Sequence, residues 1–316
     1  MFSESESGTA NGDTLTDVIH GLKVHHKHLP NNLLFDVDSL TIEKLNCQTE
    51  YYITRSETKI MTEFIDEISA FVNENSMFLE FGCGDTTQTR ILLDNLPEIA
   101  AYIPADISSE RLNSSLEILK QEYPGVEIKP LVANFTEKFD LPPVDNTFEQ
   151  KIFFLPGSKI GCFTPYEAKS FLKRMAKIIG ENGLFLVGVD LKKDKNIIEN
   201  AYNDHEGLTK SMNLNIINHL NEEFGDVFEV KKFDHIAYYN EQLGRVEMYL
   251  KSNTNQTVNL FGNKIRLERD EKILTQYFYK YTLEEFEELV FPYFDVSCVW
   301  TDKSKFYSLH LLKVAD

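Results

Sequence analysis

The sequence has few cysteines, few positive charges and no long apolar run, and each shortage excludes a class of protein. The 32 Lys and Arg residues stand against 50 Asp and Glu residues, and the resulting formal net charge of −18 repels phosphate backbones. We therefore expect no nucleic-acid partner. No run approaches the roughly 18 apolar residues of a membrane-spanning helix, so we expect no membrane partner either.

The four cysteines, Cys47, Cys83, Cys162 and Cys298, are scattered and form no CxxC pair. The first residues are polar and acidic, unlike a secretory signal, so we expect reduced thiols in a cytoplasmic protein. Three histidines between 25 and 28 lack a carboxylate or cysteine that would complete a metal-ligand set, and we expect no metal. Nothing in the sequence implies an oligomer.

The length and composition predict a folded chain of about two domains. Apolar residues make up 42% of the sequence and aromatic residues 12%, enough for a sizeable core. Residues 1–14 are the exception, because they are mainly Ser, Glu, Gly and Thr and predict a disordered tail. Apolar residues at helical spacing predict a short helix over 15–28.

Strands alternate with helices from residue 56 to residue 190. A helical spacing of apolar residues over 56–73 leads into an apolar run, and the pattern then repeats. This alternation predicts a parallel, doubly wound sheet, in which ligands bind outside the carboxyl ends of the strands. The predicted strands are 77–81, 101–106, 126–132, 151–155 and 183–189, and the helices among them are 87–95, 109–122 and 165–179.

The alternation stops after Asp190 and resumes near residue 283. A helical stretch over 195–223 is followed by β-rich runs, and a helix at 283–289 then restores the earlier pattern. The sequence thus predicts a different module inserted before the end of the sheet. The predicted β-rich runs are 233–239, 245–251, 257–260 and 277–281, and the last strands are 296–300 and 306–312.

A glycine turn and an acid further along the chain predict a nucleotide-type cofactor. Gly82 and Gly84 follow the first predicted strand, and Asp106 ends the next one. Glycines let a backbone approach a ligand closely, and a carboxylate can accept both hydrogen bonds of a ribose diol. The third glycine of a dinucleotide fingerprint is absent and Glu80 immediately precedes the turn, which favours S-adenosylmethionine over NAD.

Several spaced segments are similar to those of a known enzyme family. EYYITR at 50–55, LPGSKIGC at 155–162 and GVDLKKD at 188–194 are similar to the family segments EYYPTR, FLGSTIGN and GTDLVKD. These segments follow one another in the order that they have in the histidine Nα-methyltransferases of the ergothioneine pathway. The chain resembles this family over nearly its whole length after the N-terminal tail. The later landmarks are AYND at 201–204 with GLT at 207–209, VEM at 246–248 and WTD at 300–302.

The resemblance implies an α/β protein of two domains. A Rossmann-like class I methyltransferase sheet would comprise residues 61–191 and 283–316 and would bind S-adenosylmethionine. A second, smaller α+β substrate domain would comprise residues 15–60 and 192–282. A free amino acid is the implied small-molecule substrate, and it would lie between the two domains, where ligands are common.

The resemblance also implies the residues of the site. Tyr51 and Tyr202 are the implied catalytic residues, and we interpret them as positioning groups because no residue declares itself a base. The implied cofactor-binding residues are Glu80, Gly82, Gly84, Asp106, Asn134, Phe135 and Gly157, and the implied substrate-binding residues are Phe35, Tyr51, Cys162, Tyr202, Thr209, Met248, Gln276 and Phe278.

Some implied site residues depart from the family pattern. Cys162 replaces the final Asn of the loop, and Asn134 replaces an adenine-side Asp whose role an amide can still fill. Gln276 and Phe278 replace a Glu and a Ser that read the imidazole of histidine, and Phe35 replaces a Tyr. A site built to hydrogen-bond a substrate group rejects analogues that lack that group by roughly 10⁴-fold or more. The loss of the Glu and the Ser therefore weakens the preference for histidine.

Three functions remain open from the sequence. We expect in-line methyl transfer from S-adenosylmethionine to the unprotonated α-amine of an amino acid, with catalysis mainly by positioning. The amino acid would be histidine, or an aromatic or apolar one such as tryptophan. A binding protein of the same fold without turnover and a methyltransferase of a peptide amine are the alternatives.

Overall fold

The computed structural model describes residues 8–30, 33, 39–82 and 86–315 and divides the chain into two compact units. The first unit comprises Met1–Glu50 and Asp194–Phe278, and the second comprises Tyr51–Lys193 and Tyr279–Asp316. The predicted boundaries differ most at the first junction, where residues 51–60 belong to the second unit. They do so because one helix continues through this region, as far as Ser69.

The β-strands of both units have the following bounds. They are β1 (Ser76–Phe81), β2 (Ile99–Asp106), β3 (Glu127–Ile128), β4 (Leu131–Val132), β5 (Gln150–Leu155), β6 (Leu184–Asp190), β7 (Phe233–Asn240), β8 (Arg245–Ser252), β9 (Gln256–Leu260), β10 (Asn263–Leu267), β11 (Lys272–Tyr279), β12 (Phe294–Thr301) and β13 (Tyr307–Val314).

The α-helices lie among these strands, and short 3₁₀ turns at Lys159–Cys162 and Val230–Lys232 accompany them. The helices are α1 (Gly8–Lys23), α2 (Ser39–Asn46), α3 (Ile53–Ser69), α4 (Thr86–Asn95), α5 (Ser109–Glu122), α6 (Pro165–Ile179), α7 (Lys195–Ala201), α8 (Leu208–Phe224) and α9 (Leu283–Val290).

The second unit is a single twisted sheet covered by helices. Its strand order is β12-β13-β6-β5-β1-β2-β3, and β4 also pairs with β2. The strands are parallel except β13, which runs antiparallel to both β12 and β6. Strands β1 and β2 are buried along their whole length, as expected of a sheet with helices on both faces. The predicted Rossmann-like α/β sheet is therefore confirmed.

The core of the second unit is rich in phenylalanine. The ring of Phe81 lies 5.7–6.1 Å, centroid to centroid, from four other phenylalanine rings, which include Phe153 and Phe171. Helix α6 places its apolar stripe on this cluster and is held at its start by a capping box between Thr164 and Glu167. This packing fixes the ends of β1 and β5, where the candidate site lies.

The first unit is an α+β module. Strands β11, β8 and β7 form one sheet in that order, and β9 and β10 form a separate antiparallel hairpin. Helix α8 packs against β7, where the Asn213 amide lies 3.0 Å from Nδ1 of His235.

None of the helices in the described ranges combines the length and the apolar composition needed to cross a bilayer.

The N-terminal predictions require two corrections. Helix α1 begins at Gly8, so residues 8–14 are helical rather than part of a disordered tail; residues 1–7 lie outside the described residues. Once Val18 and Leu22 are buried, each further residue of the helix adds a backbone hydrogen bond at little entropic cost. The helix also ends at Lys23 instead of continuing to 28, because the His28 N–H donates to the Gly21 carbonyl, 3.0 Å away.

Four further elements differ from the sequence prediction. The helix predicted over 195–223 is two helices, α7 and α8, separated at Gly207, whose φ of +72° is not helical. The strand predicted over 126–132 is divided into β3 and β4, because Pro130 between them has no N–H to donate. Helix α2 and strand β10 were missed, since both are short and only weakly periodic.

Candidate active site

Two left-handed glycines mark the carboxyl edge of the sheet in the second unit. Gly82 follows β1 with a φ of +73°, and Gly157 follows β5 with a φ of +69°. The Gly82 N–H donates to the carbonyl of Ala105, 2.6 Å away, which ties the β1 turn to the end of β2. Asp106 follows directly, is 5% exposed, and accepts a hydrogen bond from the Ser108 N–H at 2.9 Å. The structure thus brings Gly82 and Asp106 to one edge.

The Lys159 side chain approaches the backbone of Gly82 closely. A Cβ atom at Gly82 would lie 2.5 Å from Cε of Lys159, so a side chain there would fill the turn. A cofactor that carries a ribose suits this edge, because Asp106 supplies a buried carboxylate beside a left-handed glycine turn. Gly82 and Asp106 therefore fit S-adenosylmethionine. Gly84, the second predicted glycine, lies outside the described residues.

Three other predicted cofactor residues have structural partners of their own. The Glu80 carboxylate accepts hydrogen bonds from Thr89 at 2.7 Å and from Tyr102 at 2.8 Å, so it joins β1 to α4 and β2. The Asn134 amide is engaged with its neighbours on the loop after β4. The Phe135 ring packs 5.7 Å from Phe81.

A buried carboxylate that the sequence did not single out holds the loop after β5. Glu57, on α3, is fully buried, and its Oε2 accepts from the Gly157 N–H at 2.8 Å and from Gln88 at 2.7 Å. Its Oε1 accepts from the Tyr307 hydroxyl at 2.9 Å. Burial raises the pKa of Glu57, and these hydrogen bonds and the Lys159 ammonium oppose that rise. Helix α3 therefore fixes Gly157 directly.

The same loop is held a second time by Tyr307 and Ser158. The Tyr307 hydroxyl accepts from the Ser158 N–H at 2.8 Å while it donates to Glu57. Burial and the neighbouring Glu57 carboxylate raise the pKa of Tyr307 well above its usual value, so the hydroxyl keeps its proton. Ser158 has a φ of +55°, and its Oγ accepts from the Asp190 N–H at 2.9 Å. Such a left-handed residue persists because its surroundings determine it.

A second buried carboxylate, Asp190 at the end of β6, pairs with two ammonium groups. Nζ of Lys280 lies 2.5 Å from Oδ2, and Nζ of Lys193 lies 2.5 Å from Oδ1. The Tyr52 hydroxyl donates to Oδ1 at 2.8 Å. Burial alone would raise the pKa of Asp190, but Lys280 and Lys193 lower it below its usual value of 3.8. Asp190 is therefore an anion in the folded protein.

Tyr51 and Cys162 flank these networks in the second unit. Tyr51 is half-buried and immediately precedes Tyr52 and α3. Cys162 ends the 3₁₀ turn that follows the β5 loop. Burial raises the pKa of its thiol to about 12, although the nearby Lys280 and Lys159 oppose this, so Cys162 is a neutral thiol at pH 7 and a weak hydrogen-bonding group.

In the first unit, the predicted substrate residues Tyr202 and Phe278 are in contact. Their ring centroids lie 5.0 Å apart. The Tyr202 carbonyl is held by Nε2 of His235 at 3.0 Å. Burial lowers the pKa of His235, and its Nδ1 accepts from the Asn213 amide, which leaves the proton on Nε2. Thr275 donates to Oδ1 of Asn213 at 2.6 Å and completes this chain of hydrogen bonds.

Gln276 lies two residues before Phe278 on β11, and alternation along a strand places both side chains on one face. Gln276 is fully buried, yet within the described ranges neither Oε1 nor Nε2 has a hydrogen-bond partner. A buried amide without partners costs about 1–3 kcal/mol, which a ligand's polar atom can offset. Thr209 and Met248 are also buried in this unit, whereas Phe35 lies outside the described residues.

The residues that sequence reasoning missed act through partners far away along the chain. Glu57 meets Tyr307 across 250 positions, and Asn213 meets Thr275 across 62. The only available signal for Glu57 was a charged residue on the apolar side of a predicted helix. His235 carried no signal, since a lone histidine in a strand is common.

Comparison with known proteins decides the family. A family model described as "Histidine-specific methyltransferase, SAM-dependent" matches residues 14–314. The chain belongs to this family. Because the match covers nearly the whole chain, the chain is an enzyme that transfers a methyl group from S-adenosylmethionine.

Individual relatives of this methyltransferase have different named substrates. The histidine N-alpha-methyltransferase of Mycolicibacterium smegmatis is 30% identical over 302 residues, which cover 93% of each chain. That of Mycobacterium tuberculosis is 30% identical over 266 residues, which cover 82% of each chain. The L-tryptophan methyltransferase of Psilocybe serbica is 25% identical over 293 residues, covering 83% of this chain and 81% of that one.

Proposed function

We propose that this methyltransferase methylates the α-amino group of a free amino acid. The observation that carries the proposal is the family match over residues 14–314, together with the names of the relatives, which act on histidine or tryptophan. The proposed cofactor residues are Glu80, Gly82, Gly84, Asp106, Asn134, Phe135 and Gly157, and the proposed substrate residues are Phe35, Tyr51, Cys162, Tyr202, Thr209, Met248, Gln276 and Phe278.

Bound S-adenosylmethionine supplies an electrophilic methyl group on a sulfonium. The chain's own contribution is to orient the α-amine and to exclude water, which is catalysis by positioning. Tyr51 and Tyr202 serve this purpose in the proposal, and the carbonyl of Tyr202 is held in place by neutral His235. An α-amine has a pKa of about 8 or above, so it must lose a proton before it attacks the methyl group, and none of the named residues is assigned as the base.

The proposed side-chain pocket favours an aromatic substrate with a polar ring atom. Phe278 and Tyr202 provide aromatic walls, and the Gln276 amide provides one donor group and one acceptor without partners among the described residues. Histidine satisfies both functions of the amide through its two ring nitrogens, and tryptophan satisfies the acceptor through its indole N–H. Histidine and tryptophan are therefore the two substrates to measure first.

Mass spectrometry of one reaction tests the proposal. Purified protein, S-adenosylmethionine and the twenty amino acids are incubated together, and every mass increase of one, two or three methyl groups is recorded. We expect a methylated aromatic amino acid. If no product forms although calorimetry shows bound cofactor, the chain is a binding protein or acts on another amine; inhibition by free amino acids of peptide methylation would then identify a peptide amine as the substrate.

A double substitution tests the pocket. Gln276→Glu with Phe278→Ser is expected to raise the ratio of kcat/KM for histidine over that for tryptophan by at least about tenfold, because an ionised acceptor binds an imidazole N–H more strongly than an amide does. Steady-state kinetics with both amino acids measures the ratio.

A matched control makes the same changes elsewhere in the first unit. Gln256→Glu with Phe261→Ser alters the β9–β10 hairpin, where Phe261 is 63% exposed, and is expected to leave the ratio unchanged. If the double variant at 276 and 278 folds, as judged by circular dichroism, but has the wild-type ratio, these residues do not form the side-chain pocket.

A further inference from the structure

Lys159 places a positive charge at the glycine turns of the proposed cofactor site. Its Nζ lies 3.5 Å from the Gly82 carbonyl and 3.4 Å from the Pro156 carbonyl. A Cβ atom at Gly157 would lie 3.7 Å from the same Nζ. The ammonium therefore stands over the ends of both β1 and β5, in the space that the two left-handed glycines leave open.

No carboxylate of the described residues lies within 4 Å of this ammonium in an ion pair. Its two contacts with carbonyl oxygens are long for hydrogen bonds, so the N–H groups of the ammonium form only weak hydrogen bonds there. Burial raises the pKa of both Glu57 and Glu80, and the Lys159 ammonium opposes that rise at each carboxylate. Their oxygens, however, already accept from Gly157, Gln88 and other donors. An anion from a ligand would complete the coordination of Lys159.

The order of the strands indicates which part of the cofactor lies there. β4 and β3 pair with β2, β2 pairs with β1, and β1 pairs with β5. If Asp106 at the end of β2 binds the ribose and Asn134 after β4 faces the adenine, the remainder of the cofactor extends in the opposite direction, toward Gly82 and Gly157. That remainder is the methionyl portion, which carries an α-carboxylate.

We propose that Lys159 binds the α-carboxylate of the methionyl portion of S-adenosylmethionine. The inference rests on the proposed cofactor residues. In the sequence, Lys159 stands at the position of the threonine in the FLGSTIGN loop, which the resemblance did not include among the site residues. It is a cofactor-binding residue with a charge-assisted contact, the stronger class of hydrogen bond.

Two ligands that differ only in this carboxylate test the proposal. Calorimetry compares the binding of S-adenosylmethionine and of its decarboxylated form to the full-length wild-type protein and to the Lys159→Met variant. We expect Lys159→Met to weaken the binding of S-adenosylmethionine by about tenfold to hundredfold. The binding of the decarboxylated form is expected to be unchanged or tighter, because that ligand has an amine and no carboxylate. Lys159→Arg is expected to retain most of the affinity.

A matched control and three outcomes decide the matter. Lys173→Met removes an exposed lysine of α6 and is expected to change neither affinity. If Lys159→Met weakens the binding of both ligands equally, Lys159 is a structural counter-charge of Glu57 and Glu80. If it weakens the binding of neither, Lys159 is not part of the cofactor site. A raised KM for the amino acid with unchanged cofactor binding would assign it to the substrate carboxylate. Each outcome overturns the proposal, while product formation by the wild type tests the proposed function separately.

Discussion

Replacing Asp190 with asparagine is expected to lower the free energy of unfolding by about 3–5 kcal/mol, the usual cost of breaking a buried ion pair from one side. Asp190 and Lys280 are fully buried, and Lys193 is nearly so, with both ammonium groups 2.5 Å from the carboxylate. Asparagine keeps the shape but removes the carboxylate charge that pairs with two buried ammonium groups. Urea unfolding of the full-length protein measures the loss.

A matched substitution separates this effect from the general effect of replacing an aspartate. Asp194 caps α7 by accepting from the Asn196 N–H, and asparagine is an equally good N-cap. Asp194→Asn is therefore expected to change the free energy of unfolding by less than about 0.5 kcal/mol. Equal effects of the two substitutions would show that the buried cluster contributes nothing of its own.

The Asp190 effect also has a defined pH dependence. The pKa of Asp190 is lowered in the folded protein, so its carboxylate stabilises the fold at pH values above the usual value of 3.8 and loses that contribution as the pH falls below it. The difference in stability between wild type and Asp190→Asn is expected to be constant from about pH 5 to pH 7. It shrinks only in more acidic solution, which unfolding curves across this range would show.

Gly188→Ala is expected to destabilise the protein by at least about 3 kcal/mol and to weaken cofactor binding more than tenfold. The added methyl group would lie 1.9 Å from Oε1 of Glu57 and 2.2 Å from the Tyr307 hydroxyl. All three residues are in the buried interior of the second unit, so one of these side chains must move. Movement of Glu57 releases the Gly157 N–H, and with it the loop after β5.

The control for Gly188→Ala is Gly125→Ala, where no heavy atom lies within 4 Å of the added Cβ and no loss of stability is expected.

Tyr307→Phe provides a milder test, because it removes one hydroxyl without adding atoms. We expect it to weaken the binding of S-adenosylhomocysteine in calorimetry while the protein stays folded. Wild-type affinity in folded Tyr307→Phe would contradict a positioning role for this network.

The sequence predicts the edge formed by Gly82 and Asp106 but not the contact between Glu57 and Tyr307, and the reason is physical. Asp106 and Gly82 could be identified because glycine and acid follow consecutive strands, and parallel strands bring their carboxyl ends to one edge. Glu57 and Tyr307 could not, because their contact joins a helix and a strand far apart in the sequence. Burial makes such a pair strong, yet periodicity reports only which face of an element is buried and never which partner it meets.

The boundaries of the elements show the same division. Apolar runs predicted strands β1, β2 and β6 of the second unit, because these strands are buried along their whole length and are mostly apolar in sequence. The break between α7 and α8 depended on the left-handed backbone of Gly207, and the early end of α1 depended on a turn back toward Gly21. Local patterns do not encode such tertiary turns.

By itself, the sequence determined the α/β class, the glycine turn with its acid and the family, because these follow from local patterns and from motifs in a fixed order. Only the tertiary structure decided that Gln276 is a buried amide without partners among the described residues, that Lys159 stands over two glycine turns, and that Glu57 holds the loop after β5. Those facts depend on which atoms become neighbours when distant segments pack, and the free energy of an amide, an ammonium or a carboxylate is set by its neighbours.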